Sequence, residues 1–290
     1  MPNKLCIIYT GSWNLSDLSL LTHKPLFENL REHNINYDVF ISVSNEILIK
    51  HPDKTLLINN FSKLSKHNCF DFLEEKNIWQ GSESREEATW NWYHINKIVD
   101  TNYIKKKFNE LVGESNIKHI DFRVNEDDIT IKDSNGNSKN HNNYGDGHNL
   151  PYFFDTNYFK RLTRVSSIVN QDEYFSFINV RPDFYMENHE KIIKHFTNPI
   201  NNELQLLTSY RLDFFHISKQ LLVKFFNKNK YLKICESKEI YEIKKSNPYT
   251  NNVHIEIYFE KIFQLLNISV QKNFIVGFKL DINELEKVIF

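Results

Sequence analysis

The sequence predicts an α/β fold in which a mixed, mostly parallel central sheet is flanked by helices. Short apolar runs at 4–9 and 37–43 are typical of buried strands, and a helical stretch at 25–33 separates them. A strand, a helix and a strand in this order form a parallel pair joined by a right-handed crossover. A further aromatic and apolar run, 174–180, predicts a strand that stops at Pro182, because proline fixes φ and lacks an N–H donor.

The remaining chain predicts an alternation of helices and strands. The further strands are expected at 55–58, 117–124, 127–132, 204–210 and 274–280, with a hairpin turn at 125–126. The further helices are expected at 86–111 with a break near 100–102, at 155–169, 187–196, 217–226 and 257–266. The tract at about 133–150 is rich in Asn and Gly, which predicts a long, polar, mobile loop.

The composition describes an ordered protein of 290 residues, of which 40% are hydrophobic and 14% aromatic. Because neither an internal repeat nor a Pro/Gly/Ser-rich linker divides the chain, we expect residues 1–290 to form one domain with a sizeable core. The 36 basic and 37 acidic residues give a net charge of -1. This balance leaves no electrostatic footprint for nucleic acid or for an anionic membrane, so neither is an expected partner.

Cysteine usage and hydropathy predict a cytoplasmic protein. Cys6, Cys69 and Cys235 are widely spaced and odd in number, so neither a disulfide framework nor a cysteine-type zinc site is expected. The N-terminus lacks the apolar core of a signal peptide. No run reaches the ~18 apolar residues that a membrane-spanning helix needs, so any membrane contact is expected to be peripheral.

The strongest local feature is the stretch 177–183, Phe-Ile-Asn-Val-Arg-Pro-Asp, in which a hydrophobic strand delivers a cation and a carboxylate to its carboxyl end. Ligands of open α/β sheets bind in crevices at those strand ends. Asp183 suits Mg²⁺ or Mn²⁺, since hard cations prefer carboxylate oxygens, and Arg181 suits phosphate oxygens. A local salt bridge between Arg181 and Asp183 within a turn is the alternative that these residues leave open.

Four short stretches resemble segments of a known group of proteins. They are Cys6-Ile-Ile-Tyr-Thr-Gly-Ser12, Tyr37-Asp-Val-Phe-Ile41, Asn179-Val-Arg-Pro-Asp183 and Arg211-Leu-Asp-Phe-Phe-His216. In this order they are similar to segments of type-A glycosyltransferase-like proteins found in bacterial surface-polysaccharide loci and in large DNA viruses. The resemblance implies a GT-A-like nucleotide-diphospho-sugar transferase fold.

On the donor side, the resemblance implies that Thr10, Gly11 and Ser12 lie against the nucleotide base or ribose, where a glycine lets the backbone approach a ligand closely. An ordinary strand-to-helix turn is the alternative. Asp183 matches the last acidic position of the family's Asp-x-Asp motif, which binds metal and diphosphate, but Arg181 stands where that motif has its first Asp. Mn²⁺ or Mg²⁺ is therefore an expected cofactor, with one alternative left open. In that alternative the cation at position 181 takes the place of the metal.

On the acceptor side, the resemblance makes Asp213 the candidate general base for the acceptor hydroxyl. The alternative for Asp213 is a helix cap or a salt bridge with Arg211. His216 is expected to ligate metal or contact the acceptor, or else to be a packed, half-buried histidine. Arg164, which follows Arg161 by one helical turn, is expected to bind donor phosphate, or else to belong to an exposed basic helix face.

The function that the resemblance implies is a hexosyltransferase-type enzyme of polysaccharide biosynthesis. It would transfer a sugar from a nucleotide-diphosphate donor to a glycan or glycolipid acceptor in the cytoplasm, or in the host cytoplasm if the protein is viral. Inversion at the anomeric carbon is expected, with retention as an alternative. The rival hypotheses are a non-catalytic nucleotide- or glycan-binding protein on the same fold, and a structural protein that binds another chain. If the enzyme hypothesis holds, we expect Asp183→Asn to abolish transfer and leave the thermal melt nearly unchanged.

Overall fold

The computed structural model describes residues 4–64, 78–85, 88–122, 131–132, 138–139, 165, 168–197, 205–208, 214–218, 267, 269–271, 277–280 and 285. The strands are β1 (Lys4–Ser12), β2 (Asn36–Ser44), β3 (Glu46–His51), β4 (Trp79–Arg85), β5 (Ala88–Ile98), β6 (Ile117–Phe122), β7 (Ile131–Lys132), β8 (Ser138–Lys139), β9 (Tyr174–Val180), β10 (Phe184–Met186), β11 (Gln205–Thr208), β12 (Phe214–Ser218), β13 (Ser269–Gln271) and β14 (Gly277–Lys279). The α-helices are α1 (Ser16–Ser19), α2 (Lys24–Glu32), α3 (Lys54–Leu64), α4 (Thr101–Val112) and α5 (His189–Thr197). Short 3-10 helices cover Leu20–His23, Glu114–Asn116 and Gln171–Glu173.

The central sheet has seven strands in the order β13-β11-β12-β9-β1-β2-β6. Within it β9, β1, β2 and β6 lie side by side and parallel. β12 runs antiparallel to both of its neighbours, β9 and β11, whereas β11 and β13 are parallel. The predicted α/β architecture, with a parallel sheet flanked by helices, is confirmed.

Strand β1 is buried on both faces of this sheet, because its residues from Leu5 to Gly11 are all buried and successive side chains point to opposite sides. On one face Ile7 and Tyr9 join a hydrophobic core formed with α2 and α4, to which these helices contribute Leu26, Phe27, Leu30, Ile104, Phe108 and Val112. The rings of Tyr9 and Phe108 meet edge to face with centroids 5.0 Å apart. Burial on both faces explains why β1 is a continuous apolar run rather than an alternating one.

Several predicted elements are confirmed. The strands at 4–9, 37–43 and 174–180 correspond to β1, β2 and β9, and those at 204–210 and 274–280 contain β11 and β14. The helices at 25–33 and 187–196 correspond to α2 and α5. Of the helix predicted at 155–169, only 165, 168 and 169 are described, and 165 and 168 are helical.

The strand predicted at 55–58 is wrong, because these residues belong to α3. Asp53 caps this helix: its Oδ1 accepts hydrogen bonds from the N–H groups of Thr55 at 2.8 Å and Leu56 at 3.1 Å. Its carbonyl accepts from Leu57 N at 3.2 Å. A capping side chain that satisfies the first N–H donors outweighs the β-like run of Thr, Leu and Ile.

The helix predicted at 86–111 is half wrong. Residues 88–98 form β5, which pairs in an antiparallel sheet with β3 and β4, and only 101–112 are helical. The predicted break near 100–102 is where the helix begins, because the side chain of Asp100 accepts a hydrogen bond from Asn102 N at 2.8 Å. The Trp, Tyr and Ile residues of β5 are typical of strands, and their coincidental helical spacing caused the error.

The hairpin predicted at 117–132 is also wrong in its pairing. β6 joins the central sheet parallel to β2, and β7 pairs instead with β8, which lies inside the tract predicted as a loop. The predicted turn at 125–126 lies outside the described residues. The helix predicted to begin at Ile217 starts too early, since Ile217 and Ser218 are the last residues of β12, and the rest of it and the helix predicted at 257–266 are not described.

Within the described parts of the chain, no helix is both long and apolar enough to cross a membrane. The expectation of one domain over residues 1–290 stays a prediction.

We predict that Asp100→Ala lowers the free energy of unfolding by about 1 kcal/mol, because α4 loses its capping acceptor and an N–H at its first turn is left without that bond. Urea denaturation followed by circular dichroism measures the change. Asp100→Asn, which keeps a capping oxygen, serves as the control and is expected to lose much less. Equal losses in the two variants would contradict a capping role for Asp100.

Candidate functional site

The order of strands in the parallel part of the sheet indicates where a ligand would bind. From β1 the chain adds β2 and then β6 on one side, and only later β9 on the other side. The order therefore reverses between β1 and β9, and open α/β sheets bind ligands at such a switch point, beyond the carboxyl ends of the strands. Tyr9 pairs with Val180, the last residue of β9, so Thr10, Gly11 and Ser12 extend beyond that end.

The residues that follow β9 meet the end of β1 at Gly11. Gly11 has φ of +135°, a region that side chains disfavour. A Cβ added there would lie 3.4 Å from Pro182 Cδ and 3.5 Å from Arg181 Cγ. The close backbone approach predicted at Gly11 is thus occupied by the turn that follows β9. Residues Arg181 to Phe184 form this turn, closed by a hydrogen bond from Phe184 N to Arg181 O at 3.1 Å, and are called the Arg-Pro-Asp turn.

The Arg-Pro-Asp turn contains a bidentate ion pair. Arg181 Nε donates to Asp183 Oδ1 and Arg181 Nη2 donates to Asp183 Oδ2, both at 2.8 Å. Asn14 Nδ2 lies 3.3 Å from the same Oδ2. The side chain of Asp183 is 0% exposed and that of Arg181 is 17% exposed. The local salt bridge that the sequence left open as an alternative is therefore present, and it forms the charged centre of this edge of the sheet.

A second polar contact ties the two strands together just inside this edge. Thr10 Oγ1 donates to Asn179 Oδ1 at 2.9 Å, and both residues are buried. Asn14 and Asn179 are site residues that the sequence reasoning missed. Asn179 could have been found as an amide inside an apolar strand, since a buried amide needs a partner. Asn14 has a φ of +36°, but nothing in its immediate sequence indicates which carboxylate it meets.

The segment that follows β1, residues 13–23, is hydrogen-bonded to the Arg-Pro-Asp turn and to β10. Ser19 Oγ donates to Pro182 O at 2.6 Å and His23 Nε2 donates to Phe184 O at 2.5 Å. Thr22 Oγ1 accepts from Met186 N at 2.9 Å. These side chains form hydrogen bonds with backbone groups of the turn and of β10, so the position of the ion pair depends on residues far from it in the sequence.

His23 is neutral in this arrangement. Its Nε2 carries the proton given to the Phe184 carbonyl, so its Nδ1 accepts from Tyr9 OH, at 2.8 Å. Burial lowers the pKa of His23 from 6.5 to about 4, against the opposing effect of the hydrogen bond to Phe184. His189 lowers the pKa of His23 further and Asp183 raises it, both by their charge.

The other predicted site residues are placed differently or not described. His216 is buried in β12 opposite Ile178 and contacts Ser176 Oγ through Nε2, which resembles the packed histidine given as its alternative. Asp213 and Arg164 lie outside the described residues. β12 begins with Phe214, which pairs with Val180, so the chain enters this strand at the same edge of the sheet as the Arg-Pro-Asp turn.

The geometry of Asp183 does not fit a metal ligand. Both of its oxygens already accept from the guanidinium of Arg181, and no part of its side chain is exposed. No three or more His, Cys, Asp or Glu residues of the described chain are grouped so that they could hold a metal ion. Metal binding by Asp183 and His216, and with it the use of Mn²⁺ or Mg²⁺, stays a prediction.

No protein-family model matches the chain, and a search of curated proteins finds no match either. The resemblance to type-A glycosyltransferases therefore rests on the short sequence motifs.

We predict that Asp183→Asn destabilises the protein by about 3 kcal/mol, because the guanidinium of Arg181 loses its buried counter-charge. This replaces the nearly unchanged melt expected from the sequence, where the burial of the pair was not visible. Urea denaturation measures the change, and Glu187→Gln, which neutralises an exposed acid nearby, is the control. A loss no larger than that of Glu187→Gln would contradict a structural role for the pair.

We predict that stability falls as the pH is lowered from about 6.5 through about 4, by up to about 3 kcal/mol from His23 alone. In this window the unfolded chain binds a proton that the folded protein excludes, so acid favours unfolding. Urea midpoints measured at pH 7, 6 and 5 should fall more steeply for the wild type than for His23→Gln. Glutamine keeps one donor and one acceptor but does not titrate. His33→Gln, which changes an exposed histidine, should retain the wild-type slope. Parallel curves for the wild type and His23→Gln would exclude His23 as the cause.

Proposed function

We propose that this protein is a glycosyltransferase of the type-A fold that transfers a sugar from a nucleotide-diphosphate donor to a glycan or glycolipid acceptor. The observation that carries the proposal is the meeting of β1 and the Arg-Pro-Asp turn at the switch point of the sheet. Gly11 lies against Pro182 and Arg181 there, at the edge where α/β folds bind nucleotides. Of the residues predicted to bind the donor, Gly11, Arg181 and Asp183 are thus neighbours in space.

The arrangement of strands beyond β9 also supports the proposal. A dinucleotide-binding sheet of the Rossmann type continues with parallel strands beyond the switch point. Here the strand next to β9 is β12, which runs antiparallel to it, and β11 lies on the far side of β12. The resemblance to type-A glycosyltransferases implies a mixed, mostly parallel sheet, and the antiparallel β12 makes this sheet mixed. The arrangement of the strands is therefore compatible with the proposed family.

The proposed reaction is a displacement at the anomeric carbon of the donor sugar. The acceptor oxygen forms a bond to that carbon, the bond to the diphosphate oxygen breaks, and the proton of the acceptor hydroxyl passes to a carboxylate base. Asp213 is the proposed base, as the resemblance implies. Arg181 is the proposed partner of the departing diphosphate, whose negative charge grows as the bond breaks.

A second candidate function is a nucleotide- or glycan-binding protein that performs no chemistry. The burial of Asp183 favours it, because the carboxylate that the family motif presents to the donor is closed off here by Arg181. Binding at the switch point does not require this carboxylate, whereas the family's catalysis uses it.

We predict that at least one of UDP and GDP binds the full-length protein, and that the corresponding sugar donor is slowly hydrolysed when no acceptor is present. Isothermal titration with each nucleotide, with and without Mn²⁺, tests binding, and product release from the donor tests chemistry. Binding without hydrolysis or transfer would favour the non-catalytic candidate. If no nucleotide binds under either condition, the glycosyltransferase proposal is overturned, and stable self-association would then favour a structural role.

A further inference from the structure

We propose that Arg181 neutralises the donor diphosphate directly, in place of a divalent cation, and that Asp183 is a positioning residue that aims Arg181. This inference rests on the proposed function, since it assigns the way in which that site handles its diphosphate. The family that the motifs resemble presents two acidic residues to a metal at this point. Here Arg181 stands in place of the first acid and is hydrogen-bonded to the second, Asp183.

The first step of the argument concerns the carboxylate. A divalent cation needs carboxylate oxygens with lone pairs directed at open space. Oδ1 of Asp183 accepts from Arg181 Nε, and Oδ2 accepts from Arg181 Nη2 and lies 3.3 Å from Asn14 Nδ2. The side chain is also fully buried. A metal could reach Asp183 only if the guanidinium withdrew, and with the guanidinium in place two cations would repel each other at short range.

The second step concerns the guanidinium. Arginine has five N–H donors in one plane, and this fork binds phosphate oxygens in pairs. The two bonds to Asp183 fix that plane. The stem also packs against β1, because a Cβ at position 11 would lie in van der Waals contact with Arg181 Cγ, at 3.5 Å. The side chain of Arg181 as a whole is 17% exposed, so part of it reaches the surface. Little rotamer freedom remains to be lost when a phosphate binds.

The third step concerns the charge that the ligand meets. Asp183 offsets part of the positive charge of Arg181, so the pair attracts a diphosphate less strongly at long range than a divalent cation would. Recognition must then depend on the orientation of the donors. A lysine at this position would keep the charge and lose the planar fork. Replacing Arg181 by Lys therefore separates this proposal from simple charge attraction.

The first experiment is isothermal titration of the full chain with UDP, GDP and inorganic pyrophosphate, in EDTA and again in Mn²⁺. We expect the nucleoside diphosphate that binds to have the same dissociation constant in both buffers, within a factor of about two. Binding only in Mn²⁺ would overturn this inference and leave the proposed function standing. Binding of neither diphosphate in either buffer would overturn both.

The second experiment compares a nucleoside diphosphate with its monophosphate on the same variants. We expect Arg181→Lys and Arg181→Gln to lower the preference for UDP over UMP, or for GDP over GMP, about tenfold or more, since a charge-assisted bidentate contact is lost. Asp183→Asn should lower the same preference, because the guanidinium is no longer aimed. Arg31→Gln changes an exposed arginine on α2 and should leave the preference unchanged.

The ratio of diphosphate to monophosphate affinity distinguishes positioning from mere structural support, because a partly destabilised fold weakens both ligands equally. Thermal melts recorded with each variant show whether it is folded. An unchanged ratio in folded Arg181→Lys would overturn the role of the guanidinium. An unchanged ratio in folded Asp183→Asn would overturn the positioning role of Asp183.

Discussion

The buried ion pair of Arg181 and Asp183 is the constraint around which the carboxyl edge of the sheet is arranged. Removing a carboxylate from water costs several kcal/mol unless hydrogen bonds replace the lost hydration. Here two guanidinium N–H groups and an amide surround it. The pair can form because β9 ends before Pro182 and the turn that follows is closed by a hydrogen bond from Phe184 N to Arg181 O.

The segment after β1, residues 13–23, connects the ion pair to the rest of the fold. Ser19, Thr22 and His23 bind backbone groups between Pro182 and Met186, while Tyr9 orients His23 from inside the sheet. Leu280 N donates to Asp183 O at 2.8 Å, which attaches the end of β14 to the same turn. Substitutions at these positions will therefore change the site without touching a ligand.

The central strands, and the proximity of the end of β1 to the Arg-Pro-Asp turn, could both be predicted from the sequence, but for different reasons. A strand buried on both faces, such as β1 or β9, is a continuous apolar run that little else resembles. Asp53 and Asp100 show the limit of predicting elements from apolar spacing. A single capping oxygen determines where each of the helices α3 and α4 begins, against the apolar spacing around it. At the site, Arg181 was found from local chemistry and Gly11 from the resemblance. Asn14 and His23 were not, since their roles depend on contacts across long sequence distances.

The ion pair also bears on the choice between catalysis and binding alone. An enzyme gains rate only from interactions that strengthen as the bond to the leaving group breaks. Arg181 is held before any ligand arrives, so it needs no reorganisation when charge develops on the diphosphate. Asp183 reduces the net charge that can act there, and this lowers the attraction for the bound donor and for the departing diphosphate alike. Whether the departing diphosphate is bound more strongly than the intact donor then depends on how well the fixed guanidinium matches the departing group. Preorganisation rather than net charge therefore decides whether this edge of the sheet supports chemistry.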